Sequence, residues 1–173
     1  MTDKITEARV RAAHAHQGQK YGNLPYMDHL NDVVEVLKEF GFKSEEYQVA
    51  GLLHDTVEDT SMTIEGLRAR FGDDVAQLVY AVTQEPGRNR RERIAATLSK
   101  TASYPAAIPL KLADRIANVR SCWKNRDSRL FMYQKEYRDF RKALRNATVA
   151  DHALRSMWTE LDELLGFWDP NKA

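Results

Sequence analysis

The sequence predicts an all-α fold in a single domain. Apolar residues recur at helical spacing along most of the chain, whereas the alternation typical of a strand is almost absent. At 173 residues the chain can bury a sizeable core, and it contains no repeat, no low-complexity run and no linker long enough to divide it. We therefore expect residues 1–173 to form one multi-helix globule.

Composition excludes several classes of protein. The formal net charge of +1 gives no general attraction to nucleic acid or to anionic membranes. The single cysteine, Cys122, excludes an internal disulfide and a CxxC redox or zinc site. No apolar run approaches the roughly 20 residues that cross a bilayer, and residues 1–4 (MTDK) are too polar for a signal peptide. These observations predict a cytoplasmic protein that binds neither nucleic acid nor membrane.

Stop signals and apolar stripes define the first two predicted helices. The first covers about 3–19, and its apolar stripe is Ile5, Ala8, Ala12 and Ala15. The second follows Pro25 and reaches Phe40, with Gly41 as its C-terminal stop. The apolar face of this second helix is formed by Val33, Leu37 and Phe40, and His29 shares that face. His29 is therefore expected to point toward the core.

Capping residues open the next three helices. Ser44 caps a third helix, whose first turn carries acids that suit the helix dipole. This helix is expected to continue through residues 52–60. Thr63 caps a fourth helix, which closes at Phe71-Gly72. A fifth helix opens at Asp73 and Asp74, and its inward-facing residues are Val75, Leu78, Val79 and Val82.

Prolines divide the second half of the chain. Its four predicted helices cover about 88–103, 106–123, 128–145 and 149–165. Pro86-Gly87 breaks the chain before the first of them, and Pro109 lies in the first turn of the second, where a proline is tolerated. Thr148 and Asp151 are close to a capping box for the last helix.

The chemically informative stretch is residues 52–60 (LLHDTVEDT), which sets four groups able to bind metal or move protons within six residues. On a continuous helix, His54 shares a face with Glu58, and Asp55 shares a face with Asp59. Apolar residues surround the four groups, and ionisable groups in such a setting are costly unless they are paired or bound to metal. The cluster therefore needs partners elsewhere in the chain.

His29 and Asp114 are the candidate partners. A lone histidine on an apolar helix face is more often a core residue, but a metal site needs ligands from separate helices. Asp114 lies in the apolar stretch 110–118, and a salt bridge with Lys111 or Arg115 is the alternative interpretation of its position. Two imidazoles and two carboxylates would form a nitrogen and oxygen site that suits Mn²⁺, Fe²⁺, Zn²⁺ or Mg²⁺.

These residues resemble a known signature. His29, the pair His54-Asp55 and Asp114 are similar to the H…HD…D signature of the HD-domain phosphohydrolases. Over about residues 8–145, further blocks resemble, in order, the hydrolase domain of the Rel/Spo alarmone enzymes and their small stand-alone relatives. The blocks are Gly18-Gln19, 25–29 (PYMDH), 52–60, Phe71-Gly72, Val82-Thr83, and 111–115 (KLADR) with Asn118. A bare HD dipeptide is a weak signal, whereas this ordered set with HDxxED is specific.

The resemblance implies removal of pyrophosphate from the 3′ position of guanosine tetra- or pentaphosphate, usually with Mn²⁺, one ion per chain. The metal ligands that it implies are His29, His54, Asp55 and Asp114. Glu58 and Asp59 match the acidic pair assigned to water activation and proton transfer. Asn118 and Ser121 match positions near the ribose and phosphates of the substrate.

Two departures from the family concern the substrate. The family generally carries an Arg-Lys pair that holds the guanine nucleotide, whereas this chain has a shorter loop, 20–24 (KYGNL). Within it, Tyr21 is suited to stack on a base and Lys20 to meet a phosphate. The family's histidine before the Asn118 position is Ala117 here. The alternatives are therefore hydrolysis of an adenine alarmone, a nucleoside monophosphate or a phosphorylated dinucleotide, and alarmone binding without catalysis.

The basic stretch 88–93 (RNRRER) has two interpretations, a solvated helix start or a site for a polyanion such as the distal phosphates of a nucleotide. The aromatic residues of the next-to-last helix fall partly at helical spacing, which favours core packing or an oligomer seam over base stacking. They are Phe131, Tyr133, Tyr137 and Phe140.

Other chemistries lack support, since the chain has no P-loop, no GxGxxG and no GxSxG motif. Cys122 has no evident histidine partner and is expected to be a packed thiol. His14 and His16 lie on different helix faces, and each is expected at the surface or behind the metal ligands.

Overall fold

The computed structural model describes residues 3–145 and 152–167, and the predicted all-α fold is confirmed. The helices are α1 (Lys4–Ala15), α2 (Tyr26–Glu39), α3 (Glu45–Leu53), α4 (Thr56–Asp59), α5 (Ile64–Phe71), α6 (Asp73–Val82), α7 (Arg90–Ser103), α8 (Ile108–Asn125), α9 (Arg129–Arg145) and α10 (His152–Leu164). Two short strands, β1 (Lys20–Tyr21) and β2 (Leu24–Pro25), and a 3₁₀ turn (Pro105–Ala107) complete the described elements. Among the described helices, none has the length and apolar character of a membrane span.

Side-chain caps account for several helix starts. Ser44, Thr63 and Asn89 each accept a hydrogen bond from the backbone N–H three residues further on. Each of these bonds satisfies a backbone donor that the first turn of a helix leaves unpaired. The starts predicted at Ser44 and Thr63 are confirmed, whereas the cap at Asn89 was not identified from the sequence. The predicted capping box of Thr148 and Asp151 lies outside the described residues.

The core is organised around α2, which packs against both α3 and α8. Helices α1 and α6 also pack on α3, and α10 and α9 pack on α8. The second half of α3, from Val49 to Leu53, is entirely buried. Because His29 lies on α2, His54 follows α3 and Asp114 lies on α8, the packing that forms the core also brings the predicted metal ligands together.

The prediction of one continuous helix through residues 52–60 is wrong. Helix α3 ends at Leu53, His54 and Asp55 form a turn, and α4 begins at Thr56. The buried hydroxyl of Thr56 donates a hydrogen bond of 2.7 Å to the Leu53 carbonyl oxygen, which offers the backbone an alternative to the helical ladder. The break separates the two metal-binding candidates of this stretch from the two acids that follow.

Two segments before α2 also differ from the prediction. Helix α1 ends at Ala15 rather than near residue 19, and Gly18 then adopts a φ of 81°. The predicted loop is a short antiparallel hairpin in which Tyr21 lies opposite Leu24. Gly22, with a φ of 60°, occupies the first position of its two-residue turn, where a positive φ favours glycine. The hairpin fixes Tyr21 beside α2.

The aromatic residues of α9 contribute mainly to the core. Tyr133, Tyr137 and Phe140 are buried, whereas Phe131 is exposed. The prediction of core packing is therefore confirmed for three of the four, and an oligomer seam stays a prediction. Cys122 is buried, as expected for a packed thiol.

Gly51 is a point of close approach between α3 and α2. A Cβ added there would lie 2.9 Å from Cγ2 of Val34 and 3.2 Å from Cδ1 of Leu37. We expect Gly51→Ala to lower the free energy of unfolding by about 1–3 kcal/mol in chemical denaturation, because an overpacked core must displace its side chains. In Gly66→Ala the nearest atom is the exposed Thr63 hydroxyl at 3.3 Å, and we expect a change below about 1 kcal/mol. Equal losses in both variants would contradict the prediction.

Candidate active site

Two buried histidines and a carboxylate converge where α2 meets the end of α3. One potential ligand atom from each of His29, His54 and Asp55 lies within 4.8 Å of the other two. Oδ2 of Asp55 is 3.5 Å from Nε2 of His29 and 3.1 Å from Nε2 of His54. Both imidazoles are almost completely buried.

Asp114 adds a second carboxylate to this cluster. Its Oδ1 lies 3.5 Å from Nε2 of His29 and 3.8 Å from Nε2 of His54. Its other oxygen is 3.6 Å from Nζ of Lys111, so the salt bridge considered as an alternative exists alongside the cluster and does not replace it. The structure thus brings together the four predicted ligands, His29, His54, Asp55 and Asp114, from α2, the α3–α4 turn and α8.

The hydrogen bonding of His54 directs one ring nitrogen at the carboxylates. Nδ1 lies 2.9 Å from the carbonyl oxygen of Gly51, which accepts the Nδ1–H hydrogen bond. In the neutral ring Nε2 carries a lone pair, and this buried atom has no hydrogen-bond partner among the described residues. A lone pair beside Asp55 and Asp114 requires a proton or a metal cation between them. The donor set therefore fits a divalent metal.

Charges within the cluster stabilise one another. Burial opposes a charge on His54, yet Asp55 and Asp114 raise the pKa of its imidazole well above the ordinary value. Burial likewise opposes ionisation of the two carboxyl groups, but the neighbouring imidazoles of His54 and His29 hold the pKa of Asp55 and Asp114 below the ordinary range. These directions favour ionised carboxylates balanced by protons on the imidazoles, and a metal that binds here takes the place of those protons.

Tyr26 orients Asp55. Its hydroxyl donates a hydrogen bond of 2.7 Å to Oδ2 of Asp55, and its ring stacks on His16 with centroids 4.6 Å apart. Burial and the charge of Asp55 raise the pKa of Tyr26, so the phenol remains a donor. This role was missed from the sequence, although Tyr26 lies three residues before His29 in the PYMDH block. His16 is buried behind the ligands and His14 is exposed, which agrees with the expectation for the pair.

Glu58 and Asp59 have different partners. Glu58 lies at the edge of the cavity over the cluster, and its Oε1 accepts a 2.6 Å hydrogen bond from the backbone N–H of Gln84. Glu58 is exposed on its outer side, and partial desolvation at the cavity edge together with the charge of Asp55 raises its pKa. Oδ2 of Asp59 accepts a 3.0 Å hydrogen bond from the side-chain amide of Gln19. The structure therefore places Glu58 nearer to the metal cluster's cavity than Asp59.

The cavity over the cluster has a volume of about 400 Å³ and is strongly polar. Three carboxylates, Asp55, Glu58 and Asp114, lie in its wall. The cationic side chains that line it are Lys20, Arg90, Lys111, Arg115 and Arg129. Guanidinium and ammonium groups are the usual partners of phosphate oxygens in proteins. A metal-binding centre beside several cations suits a substrate with more than one phosphate.

Tyr21 and Asn118 connect the hairpin to the cluster. The Tyr21 ring stacks on His29 with centroids 4.7 Å apart, and its hydroxyl donates a 2.8 Å hydrogen bond to Oδ1 of Asn118. Nδ2 of Asn118 in turn donates a 2.6 Å hydrogen bond to Oδ1 of Asp114. Both residues, predicted to contact substrate, thus also hold two of the candidate ligands. The guanidinium of Arg129 lies 5.6 Å from the centre of the Tyr21 ring. A base that stacks on Tyr21 would therefore contact the same ring as this cation.

A second cavity, of about 730 Å³, adjoins the first. The two share Tyr21, Gly22 and Arg129 in their walls. Ser121 lines this second cavity, together with Ala117. Lys20, Tyr21 and Asn118 line the first cavity, so the four predicted substrate contacts are divided between two adjacent spaces.

Part of the basic stretch 88–93 reaches the site. Arg90 lines the first cavity and forms a two-pronged ion pair with Glu136, at 2.6 and 3.2 Å. Glu136 also lies 3.4 Å from the buried guanidinium of Arg115. Arg88 instead pairs with Glu92, at 2.7 Å, on the exposed start of α7. Arg88 therefore fits a solvated helix start, whereas Arg90 lines the cavity, and a polyanion site at this stretch stays a prediction.

Known proteins resemble this chain over most of its length. A family model described as an HD domain matches residues 8–147. The chain is 40% identical over 135 residues to a guanosine-3′,5′-bis(diphosphate) 3′-pyrophosphohydrolase of Aquifex aeolicus, covering 73% of this chain and 18% of that protein. It is 35% identical over 122 residues to the mouse guanosine-3′,5′-bis(diphosphate) 3′-pyrophosphohydrolase MESH1, covering 68% of each.

The larger relatives extend well beyond this chain, which spans about a fifth of the Aquifex aeolicus protein and of a probable GTP pyrophosphokinase of Mycobacterium leprae (18% and 19%). A solved structure described as a metazoan ortholog of SpoT that hydrolyses ppGpp superposes with a TM-score of 0.74 and 26% identity, covering 97% of this chain and 98% of that one. The fold, the histidine and aspartate cluster and these likenesses agree. The chain belongs to the HD domain family.

Proposed function

We propose that this protein is a metal-dependent phosphohydrolase that removes pyrophosphate from the 3′ position of guanosine tetra- or pentaphosphate. The observation that carries the proposal is the convergence of two histidines and two aspartates beneath a cavity lined by cations. Relatives named as guanosine-3′,5′-bis(diphosphate) 3′-pyrophosphohydrolases add support, both for the reaction and for the guanosine substrate.

In this proposal His29, His54, Asp55 and Asp114 hold one divalent cation, and Mn²⁺ is the ion we propose. The mixture of imidazole and carboxylate ligands without a thiolate supports this choice. When bound, such an ion polarises a phosphoryl oxygen and lowers the pKa of water. Tyr26, Asn118 and the Gly51 carbonyl keep three of the four ligands in orientation through hydrogen bonds.

Glu58 is the proposed general base. The hydrogen bond from Gln84 fixes its carboxylate at the edge of the cavity. Since burial and Asp55 raise its pKa, Glu58 accepts a proton from water more readily than an ordinary carboxylate does. Asp59, bonded to Gln19, is proposed to assist the transfer of that proton.

The cationic wall is proposed to bind the phosphates. Within this wall, Lys20 belongs to the hairpin and Arg90 belongs to the basic stretch 88–93. Tyr21, Asn118 and Ser121 are proposed to contact the nucleoside where the two cavities adjoin. The second candidate function, hydrolysis of another nucleotide, is favoured by the loop 20–24, which lacks the family's Arg-Lys pair.

We also propose that residues 1–173 form a single domain, that the protein is cytoplasmic and that it acts in the stringent response. One continuous cluster of buried residues, to which α1 and α10 both contribute, supports the single domain. The lone cysteine is consistent with a reducing compartment, and the role in starvation responses described for the solved metazoan SpoT ortholog supports the physiological role.

A panel of purine nucleotides incubated with the purified protein and Mn²⁺ would test the substrate. We expect release of pyrophosphate from guanosine tetra- and pentaphosphate, at rates at least about tenfold above those of adenine alarmones and nucleoside monophosphates. Separate assays for pyrophosphate and orthophosphate distinguish the products. Orthophosphate from many nucleotides would overturn the proposal, and tight binding of guanosine tetraphosphate without turnover would favour the non-catalytic alternative.

A further inference from the structure

We infer that His16 and Gln19 act as positioning residues for Asp59, a role that rests on the proposed hydrolase function. Nδ1 of His16 lies 2.7 Å from Oε1 of Gln19. The side-chain amide of Gln19 then donates a 3.0 Å hydrogen bond to Oδ2 of Asp59. A buried imidazole is thereby linked, through one amide, to an acid that neighbours the proposed general base.

The chemistry of the glutamine amide requires this direction. An ionised carboxylate only accepts hydrogen bonds, so Gln19 must present its NH₂ group to Asp59 and its carbonyl oxygen to His16. His16 must therefore be protonated on Nδ1, and its Nδ1–H donates a hydrogen bond to the Gln19 carbonyl oxygen. Without this donor the Gln19 amide oxygen loses its anchor, and the bond to Asp59 alone is left to orient the amide.

His16 is held rigidly enough to play this part. Only 4% of its surface is exposed, and its ring stacks on Tyr26 with an interplanar angle of 19°. Backbone hydrogen bonds join the Gln19 N–H to the His16 carbonyl at 2.9 Å and the Tyr26 N–H to the Gln19 carbonyl at 3.1 Å. The imidazole of His16 therefore contacts two residues that hold acids of the site. Tyr26 bonds to the candidate ligand Asp55, and Gln19 bonds to Asp59.

Helix α4 needs such support because it has only four residues. The backbone N–H of Gln84 holds Glu58, and the Gln19 amide holds Asp59. These two bonds come from different parts of the chain and fix successive acids of one short helix. We expect that loss of the Gln19 bond lets α4 and its two acids move relative to the metal cluster, which lowers turnover without changing the metal ligands.

His16 and Gln19 can both be replaced by residues of similar shape. Nε2 of His16 is buried without a hydrogen-bond partner in the described part of the chain, so His16→Phe removes one hydrogen bond and keeps the stack on Tyr26. His16→Asn keeps an amide N–H close to the position of Nδ1. Gln19→Met keeps the length of the side chain and removes both of its hydrogen bonds. Gln17→Met, at an exposed neighbouring position, is the control.

Steady-state kinetics with guanosine tetraphosphate, Mn²⁺ calorimetry and thermal unfolding would test the inference. In His16→Phe and Gln19→Met we expect kcat to fall about 10- to 100-fold, because misplacing a reacting group by about 1 Å can cost about 10²-fold. Since neither side chain bonds to a candidate metal ligand, KM and the Mn²⁺ affinity should change by less than about threefold, and His16→Asn should recover most of the lost kcat. An unchanged kcat in His16→Phe would overturn the inference, and so would a fall in kcat accompanied by an equally large rise in KM and loss of Mn²⁺ affinity.

A measurement without substrate or metal separates this inference from the proposed function. The side-chain ¹⁵N–¹H₂ signals of Gln19, assigned by their loss in Gln19→Met, report the hydrogen bond in the free protein. We expect both Asp59→Asn and His16→Phe to shift these signals, and Gln17→Met to leave them in place. If neither variant shifts them, the inference fails even where the enzyme is active. If they shift but wild-type protein hydrolyses no alarmone, the proposed function fails and the role of His16 in catalysis fails with it.

Discussion

His54→Ala and Asp114→Ala are each expected to lose bound metal and hydrolytic activity together. Each change removes one of four converging ligands, and the three that remain then lack full compensation for their buried charges and lone pairs. Since a bound cation contributes several kcal/mol of charge stabilisation in such reactions, we expect kcat/KM to fall by about a thousandfold or more. Mn²⁺ titration by calorimetry and metal analysis after gel filtration would measure the binding.

His14→Ala is the matched control for this prediction, because it removes an exposed histidine from α1. It should keep the metal affinity and the activity of the wild type. Circular dichroism of all three variants shows whether the helices persist. A folded His54→Ala protein that still binds Mn²⁺ as tightly as the wild type would mean that the ligands lie elsewhere.

Glu58→Gln is expected to keep the metal and lose turnover. The glutamine can still accept the hydrogen bond from the Gln84 backbone N–H, so the geometry of α4 should persist. It cannot take a proton from water, and loss of a positioned general base typically costs about 10²- to 10⁴-fold in rate. We expect a fall of that size in kcat, with KM and Mn²⁺ affinity close to those of the wild type.

Glu65→Gln, which neutralises an exposed acid in the first turn of α5, is the control for the change of charge. It should leave kcat within about twofold, as is usual for surface substitutions away from a site. Normal turnover by Glu58→Gln would contradict the proposed mechanism. In that case Asp59→Asn, which alters the other acid of α4, would be the next variant to measure.

The helices were predictable wherever the signal is local. Ser44 and Thr63 act through a hydrogen bond to a residue three positions later, and the glycines Gly41 and Gly72 stop helices through their own positive φ. The break between α3 and α4 was not predictable in this way. The break involves the Thr56 hydroxyl, which donates a hydrogen bond to the Leu53 carbonyl at the end of α3. Both residues are buried by the packing of other helices around them.

The candidate ligands were also accessible from the sequence. The pair His54-Asp55 stands among apolar residues, and His29 and Asp114 repeat that setting on other helices, so the residue types and their order indicate a metal site. The roles of Tyr26 and Gln19 were not accessible in this way, although both residues lie in the blocks that resemble the family. Tyr26 bonds to the candidate ligand Asp55, 29 positions away, and Gln19 bonds to Asp59, 40 positions away.

The sequence by itself determined the helical class, most helix limits and the residue types that converge on the cluster, because capping, apolar spacing and ligand chemistry are properties of short stretches. Tertiary structure decided which side chains face one another. Packing of α2 between α3 and α8 sets the 3.1–3.8 Å spacings in the cluster, and packing of α7 and α9 beside α8 brings Arg90 and Arg129 to the cavity. Such contacts depend on the shapes of whole buried surfaces, which no local pattern specifies.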